Sequence, residues 1–211
     1  MSKERIKILQ SYAGAKPDGV IGKETVTKLS QKLGKNKTQI VHFLANIHHE
    51  SGGYNIVREN MNYSAKRIME IFGVGKHSAK VTQSEANYLA GKPYELAERV
   101  YGLGNPSKAK ELGNTKVGDG FKYRGGGALQ ITGGNAYKKY GGQELYNNPD
   151  LVGTSSYYFT TAIAEFDQSK IWDLAKDLSE NSIRAVCKKV NGGYNGLDDR
   201  RNKVKYYSQF M

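Results

Sequence analysis

Apolar residues in this chain recur at three- and four-residue spacing, in short stretches closed by capping residues and glycines. That period belongs to amphipathic helices and leaves little room for sheet. Ile40, Val41, Leu44 and Ile47 follow Thr38, an N-cap residue type, and predict a helix to about Glu50 with Gly52-Gly53 as its stop. Ser64 opens a helix carrying Ile68, Met69 and Phe72, and Thr82 with Glu85 has the form of a capping box. Pro93 stands where the first residue of another helix belongs. Further helices are expected over 136–140, 157–171, 182–190 and 197–210. Residues 113–135 are glycine-rich and read as a loop with at most a short β-hairpin. Without a βαβ rhythm the fold class is all-α.

The first 36 residues stand apart. Ile6, Leu9 and Tyr12 mark one helical face, Pro17-Asp18-Gly19 a turn, and Thr25, Val26, Leu29 and Leu33 a second helix ending near Gly34. The segment is strongly basic. Two short helices bury little area, so it is expected to lean on a main domain over 37–211.

The formal net charge is +12, which draws a protein to polyanions. The basic residues are dispersed and no recognition motif is present, so nucleic acid is not the expected partner. The one cysteine, Cys187, lies among apolar residues at helical spacing and reads as a buried small side chain. No internal disulfide can form, which fits synthesis in a reducing cytosol. The N-terminus lacks the apolar core of a signal peptide, and no stretch reaches the length of a membrane span. A monomer without stable membrane insertion is expected. Fifteen tyrosines offer flat faces with a hydroxyl, a shape that suits sugar rings or a half-buried surface.

Two carboxylates attract attention. Glu50 ends an apolar helix, beside glycines that allow close approach, and Glu59 follows nine positions later. Glycoside hydrolysis needs one protonated acid and one ionised carboxylate. The apolar helix would keep Glu50 protonated, and Arg58 and Asn60 would favour an ionised Glu59. His48-His49-Glu50 lacks the i, i+4 histidine pair of a zinc helix, so no metal or other cofactor is expected. Gly125-Gly126-Gly127 lacks the ending of a phosphate loop. It reads instead as backbone close to a ligand, with Arg124, Gln130 and Thr132 as polar contacts. In an extended segment Gln130 and Thr132 would point the same way. No serine or cysteine nucleophile pattern occurs.

Four ordered stretches resemble a known family: His49-Glu50-Ser51-Gly52-Gly53, the run from Arg58 to Ser64, the run from Gly118 to Gly133, and Val190 to Gly193 followed by Asp198 to Arg201. Together they resemble the lysozyme-like endolysins of glycoside hydrolase family 19, the group that also holds plant-type chitinases, over about residues 38–211. The resemblance implies a mainly α, lysozyme-like fold with two lobes flanking a substrate cleft. It implies Glu50 as general acid, Glu59 as general base and Thr132 as the hydroxyl that positions water. It places Gln130, Tyr123, Asn191, Arg124 and Tyr63 on the sugar, with Asn135 one position from a family asparagine, and gives Arg200 or Arg201 the support of the acid. The family inverts the anomeric centre, which needs carboxylates roughly 6.5–9.5 Å apart. Residues 6–34 resemble a shortened peptidoglycan-binding module. Departures are Gly126 where the family has arginine, and Ala136 where it has asparagine. The expectation is a phage endolysin cutting bacterial peptidoglycan as a muramidase for host lysis. It would be made in the host cytoplasm without a signal peptide and reach the periplasm and wall aided by a separate membrane-permeabilising protein. The alternatives are a chitinase and a non-catalytic wall binder.

Overall fold

A computed structural model describes residues 1–211. The helices are α1 (Lys3–Ala13), α2 (Lys23–Leu33), α3 (Lys37–Glu50), α4 (Ala65–Phe72), α5 (Gln83–Leu89) and α6 (Pro93–Val100). They continue with α7 (Pro106–Leu112), α8 (Asp119–Lys122), α9 (Gly134–Asn147), α10 (Thr160–Gln168), α11 (Glu180–Asn191) and α12 (Leu197–Ser208). The fold is all-α. Extended pairing is confined to isolated bridges, of which the antiparallel Gly126–Ile131 bridge stands where a hairpin was expected. None of the helices is long and apolar enough to cross a membrane.

Most caps lie where the sequence places them. Ser64 caps α4, Thr82 and Glu85 form a reciprocal box on α5, and Pro93 opens α6. The start of α3 differs: Asn36 is the cap, its Oδ1 accepting from the Gln39 amide at 2.9 Å while Gln39 Oε1 accepts from the Asn36 amide at 3.0 Å. Asn36 wins because only it has a glutamine three places on to complete the box. Helices α7 and α8 were not expected, being too short to show a period.

The chain packs as two compact units. The first comprises Met1–Val57, Gly127–Leu129 and Thr154–Met211. Its central element is α3, on which Ile40, Val41, Phe43, Leu44, Ala45 and Ile47 are all fully buried. A helix apolar nearly all round must be enclosed, and α2, α11 and α12 pack against it. Residues 1–36 share this core: Ile6, Leu9, Val26 and Leu29 lie in the same cluster as the α3 side chains. Buried Gln10 ties the following turn to α1, donating to Val20 O at 2.9 Å and accepting from the Gly19 amide at 2.8 Å. Cys187 is fully buried in the same core.

The second unit comprises Arg58–Gly126 and Gln130–Gly153. Its core is smaller and includes Met61, Ile68, Phe72, Val81, Leu89, Leu96 and Val100. Five of the tyrosines, Tyr54, Tyr123, Tyr137, Tyr158 and Tyr207, are fully buried, and Tyr54, Tyr158 and Tyr207 belong to the first unit's core.

Because Leu9 is wholly buried in the core built on α3, Leu9→Ala should destabilise the first unit by about 2–5 kcal/mol. Urea unfolding followed by Trp172 fluorescence checks this, since Trp172 lies in that core. An unmoved Trp172 transition would mean that residues 1–36 fold separately.

Candidate active site

Along α12 the buried stripe reads Leu197, Arg200, Val204, Tyr207. Three members are ordinary core residues, and the fourth is a guanidinium with 1% of its side chain exposed. A buried charge needs a counter-charge and full hydrogen bonding. Arg200 has both: Nε donates to Asn46 Oδ1 at 2.8 Å, Nη1 to Asn195 O at 2.9 Å, and Nη2 to Glu50 Oε1. Asn46 and Glu50 are four residues apart on α3, so one helix face presents both acceptors. Of the two candidate arginines, Arg200 therefore supports Glu50. Arg201 is turned to Glu180 and Asp198.

The Glu50 side chain is 20% exposed. Burial pushes its carboxyl above the ordinary carboxylate range, with Arg200 and His49 opposing. His49 is held through Nδ1 by Asp199 at 2.5 Å. The turn before Arg200 depends on Gly196, whose φ is 73°. A Cβ there would lie 2.3 Å from the His49 ring and 2.8 Å from Arg200 Nη1. Asn191 ends α11 and is exposed, with Nδ2 donating to Asn195 O at 3.3 Å, the carbonyl that Arg200 also uses.

Glu59 belongs to the second unit and sits in a different setting. Its amide donates to Gly125 O at 2.7 Å, and its Oε2 accepts from the Gly125 amide at 3.4 Å. Its Oε1 accepts from the Tyr101 hydroxyl at 3.2 Å, and the Tyr63 hydroxyl stands near the same carboxyl. Burial again raises the pKa, against the lowering effect of Tyr101, Gly125, Arg124 and Tyr63. This corrects the reading from sequence, in which Arg58 held Glu59 ionised. Arg58 turns away and donates to Tyr137 Oη at 3.0 Å, Pro149 O at 2.8 Å and Lys122 O at 2.7 Å.

Arg124 is half-buried, donating from Nε to Glu59 O at 3.1 Å and from Nη1 to Phe121 O at 2.8 Å. Gln130 lies beside Gly125 with Glu59, since a Cβ on Gly125 would be 3.1 Å from Gln130 Oε1 and 3.3 Å from Glu59 Oε2. Gln130 and Thr132 do not alternate along a strand. Gln130 is left-handed at φ 54°, and Thr132 Oγ1 donates to the Gln130 carbonyl at 3.0 Å. That bond leaves the Thr132 oxygen lone pairs free to accept from water. The glycine run is demanded first by the protein's own packing: a Cβ on Gly126 would lie 2.4 Å from Tyr137 Oη.

The second unit thus brings together Glu59, Tyr63, Arg124, Gln130 and Thr132, and the first brings together Glu50, Arg200 and Asn191. Two residues assigned to the sugar lie elsewhere. Tyr123 is 1% exposed, stacked on Tyr146 at 5.1 Å with its hydroxyl donating to Tyr146 O, so it supports the glycine segment from the core. Asn135 is packed over Gly113, within 3.5 Å of Glu111 O. Sequence reasoning missed Tyr101 and Asn46. Tyr101 lies 42 positions from the carboxyl it bonds, and no local pattern signals such a pair. Among the histidines, His42 and His48 bond Asp177 O and Tyr207 Oη, each at 2.8 Å. No group of three acidic, histidine or cysteine side chains could hold a metal ion.

No family model matches the chain. A protein of Haemophilus influenzae (strain ATCC 51907 / DSM 11121 / KW20 / Rd), described as a glycosyl hydrolase family 19 domain-containing protein, is 35% identical over 181 residues. The match spans 83% of this chain and 80% of that protein. A crystal structure of chitinase C from Streptomyces griseus HUT6037 is 16% identical with a TM-score of 0.47, over 99% of this chain and 91% of that one. A point mutant of chitinase C gives the same TM-score at 15% identity, over 100% of this chain and 91% of that one.

Burial of Glu59 makes its ionised form unfavourable in the folded state, so its folded pKa exceeds the unfolded value of about 4.5. The stability associated with its protonated form is complete below that value and lost as pH rises through the folded pKa. Glu59→Gln keeps the neutral shape, and Tyr101 can turn its hydroxyl to accept. The variant should therefore melt above wild type at pH 7–8, with the gap closing as pH falls below the carboxylate range. Calorimetry across pH reads the difference, and a pH-independent gap would contradict the assigned cause.

Proposed function

The chain belongs to glycoside hydrolase family 19, and we propose on that premise that it is an endolysin cleaving the β-1,4 bonds of bacterial peptidoglycan. Glycosidase chemistry comes with the family. The observation that carries the residue roles is that both carboxyls are raised by burial while their neighbours differ in kind.

Glu50 acts as the general acid. Its proton passes to the leaving glycosidic oxygen as the anomeric carbon–oxygen bond breaks, and Arg200 Nη2 stabilises the carboxylate left behind. Glu59 acts as the general base. Uncharged donors from Tyr101, Tyr63 and the Gly125 amide favour its carboxylate without cancelling its basicity. It takes a proton from the water whose oxygen bonds the anomeric carbon, so configuration inverts. Thr132 Oγ1, its own proton committed to Gln130 O, accepts a hydrogen bond from that water. Gln130 and Asn191 contact the sugar, and Arg124 the part of the substrate beside it.

Peptidoglycan is favoured over chitin by the net charge of +12, which suits an anionic wall. It is also favoured by the interval of nine positions between Glu50 and Glu59, since plant-type chitinases have a longer one. Residues 1–36 add wall affinity through the surface of α1, where Lys7, Ile8, Ser11 and Tyr12 line a hollow of about 420 Å³. The endolysin acts on the host wall at the end of phage growth, reaching it with help from a separate membrane-permeabilising protein.

Digestion of purified peptidoglycan, with mass spectrometry of the products, tests the reading. Wild type should release fragments ending in reducing muramic acid, and Glu50→Gln should lose activity by about 10²–10⁴-fold while staying folded. Reducing-end glucosamine would keep the glycosidase and reverse the bond polarity. Cleavage of chitin oligosaccharides without release from the wall would replace the endolysin by a chitinase. Binding without any soluble product would leave a wall binder.

A further inference from the structure

We propose that the hollow beside Glu59 selects substrate by binding a carboxylate of the peptide carried on the amino sugar, with Lys122 and Arg124 as the cationic contacts. The inference rests on the peptidoglycan reading above and adds a determinant of specificity to it.

The hollow that contains Glu59 measures about 300 Å³. It shares Arg58, Phe121 and Arg124 with a second hollow of about 370 Å³, which adds Tyr94, Lys122 and Asp150. The rings of Tyr94 and Phe121, 5.7 Å apart, form an aromatic wall suited to a sugar or a peptide backbone. Three cations and only two carboxyls, Glu59 and Asp150, line the combined space.

The cations differ in what they have left to offer. Arg58 has nothing to offer a ligand: Nη1 bonds Tyr137 Oη and Pro149 O, Nη2 bonds Lys122 O, Asp150 lies 3.8 Å away, and the unbonded Nε is buried out of reach. Its work is to hold the main chain at Lys122. Arg124 spends Nε and Nη1 on backbone carbonyls and rests its guanidinium 3.9 Å above the Phe121 ring, leaving Nη2 without a protein acceptor. Burial and the nearby Arg58 both disfavour its charge, a cost that an incoming anion would offset. Lys122 is exposed, with no ion pair. Its Nζ lies 5.0 Å from the Tyr123 ring centroid, a contact that leaves its three N–H donors open. An unpaired guanidinium donor and an ammonium without a counter-ion on one rim make a receptor for a carboxylate. A neutral N-acetylglucosamine polymer has no carboxylate to offer. The peptide stem of peptidoglycan has several.

Steady-state rates on two soluble glycan strands test this: native strands with intact peptide stems, and the same strands after carbodiimide amidation of their carboxylates. Wild type should show a lower KM on native strands. Lys122→Gln should shrink that preference about two- to fivefold, the range of an exposed ion pair, with kcat on native strands held. Lys122→Arg should restore it. A wild type without preference, or an equal KM change on both strands in Lys122→Gln, would overturn the proposal. A wild type that cuts neither strand would instead overturn the peptidoglycan reading, an outcome visible before any variant is made.

Discussion

Arg200 is the residue on which the setting of Glu50 depends. Its place on the buried stripe of α12 forces a charge into a core that otherwise admits only apolar side chains. The charge is tolerated because α3 supplies Asn46 and Glu50 one turn apart, and the loop before α12 supplies the Asn195 carbonyl. A buried ion pair adds little net stability, since desolvation of two ions roughly cancels their attraction. What it fixes is position. Glu50 sits at the end of a helix, where a free side chain would sample several rotamers, and a guanidinium bonded on all three nitrogens leaves it one. Gly196 belongs to the same device, for a side chain there would displace both His49 and the guanidinium.

The second unit solves the matching problem without a buried cation. Glu59 is fixed by its own amide on Gly125, by the Gly125 amide and by the Tyr101 hydroxyl. These donors orient the carboxylate and lower its affinity for a proton, but burial outweighs them. Arg124 is near enough to help and uses the Glu59 carbonyl rather than its carboxylate. Two residues of the same type thus stand in different electrostatic surroundings, one facing a buried guanidinium and the other facing neutral donors.

Both settings lower stability. Each carboxyl is raised by burial, so each unit gives up folding free energy at neutral pH to hold an ionisable group away from water. The large apolar core around α3 absorbs this in the first unit. Residues 1–36 contribute to that core directly, so this basic segment also supports the helix that carries Glu50.

The sequence by itself determined the helical class, most caps and the burial of Cys187. These are local or periodic features, and a period of 3.6 or a capping box is complete within a few residues. The tertiary structure decided what no window could show. Asn36 displaced Thr38 as the cap of α3 because of Gln39. Tyr123 went to the core and Tyr101, 42 positions from Glu59, came to the carboxyl. Arg58, adjacent in sequence to Glu59, turned away, while Arg200, 150 positions from Glu50, became its partner. Neighbours in sequence share a backbone but point apart, and a side chain's charge environment is set by whatever packing brings within a few ångströms.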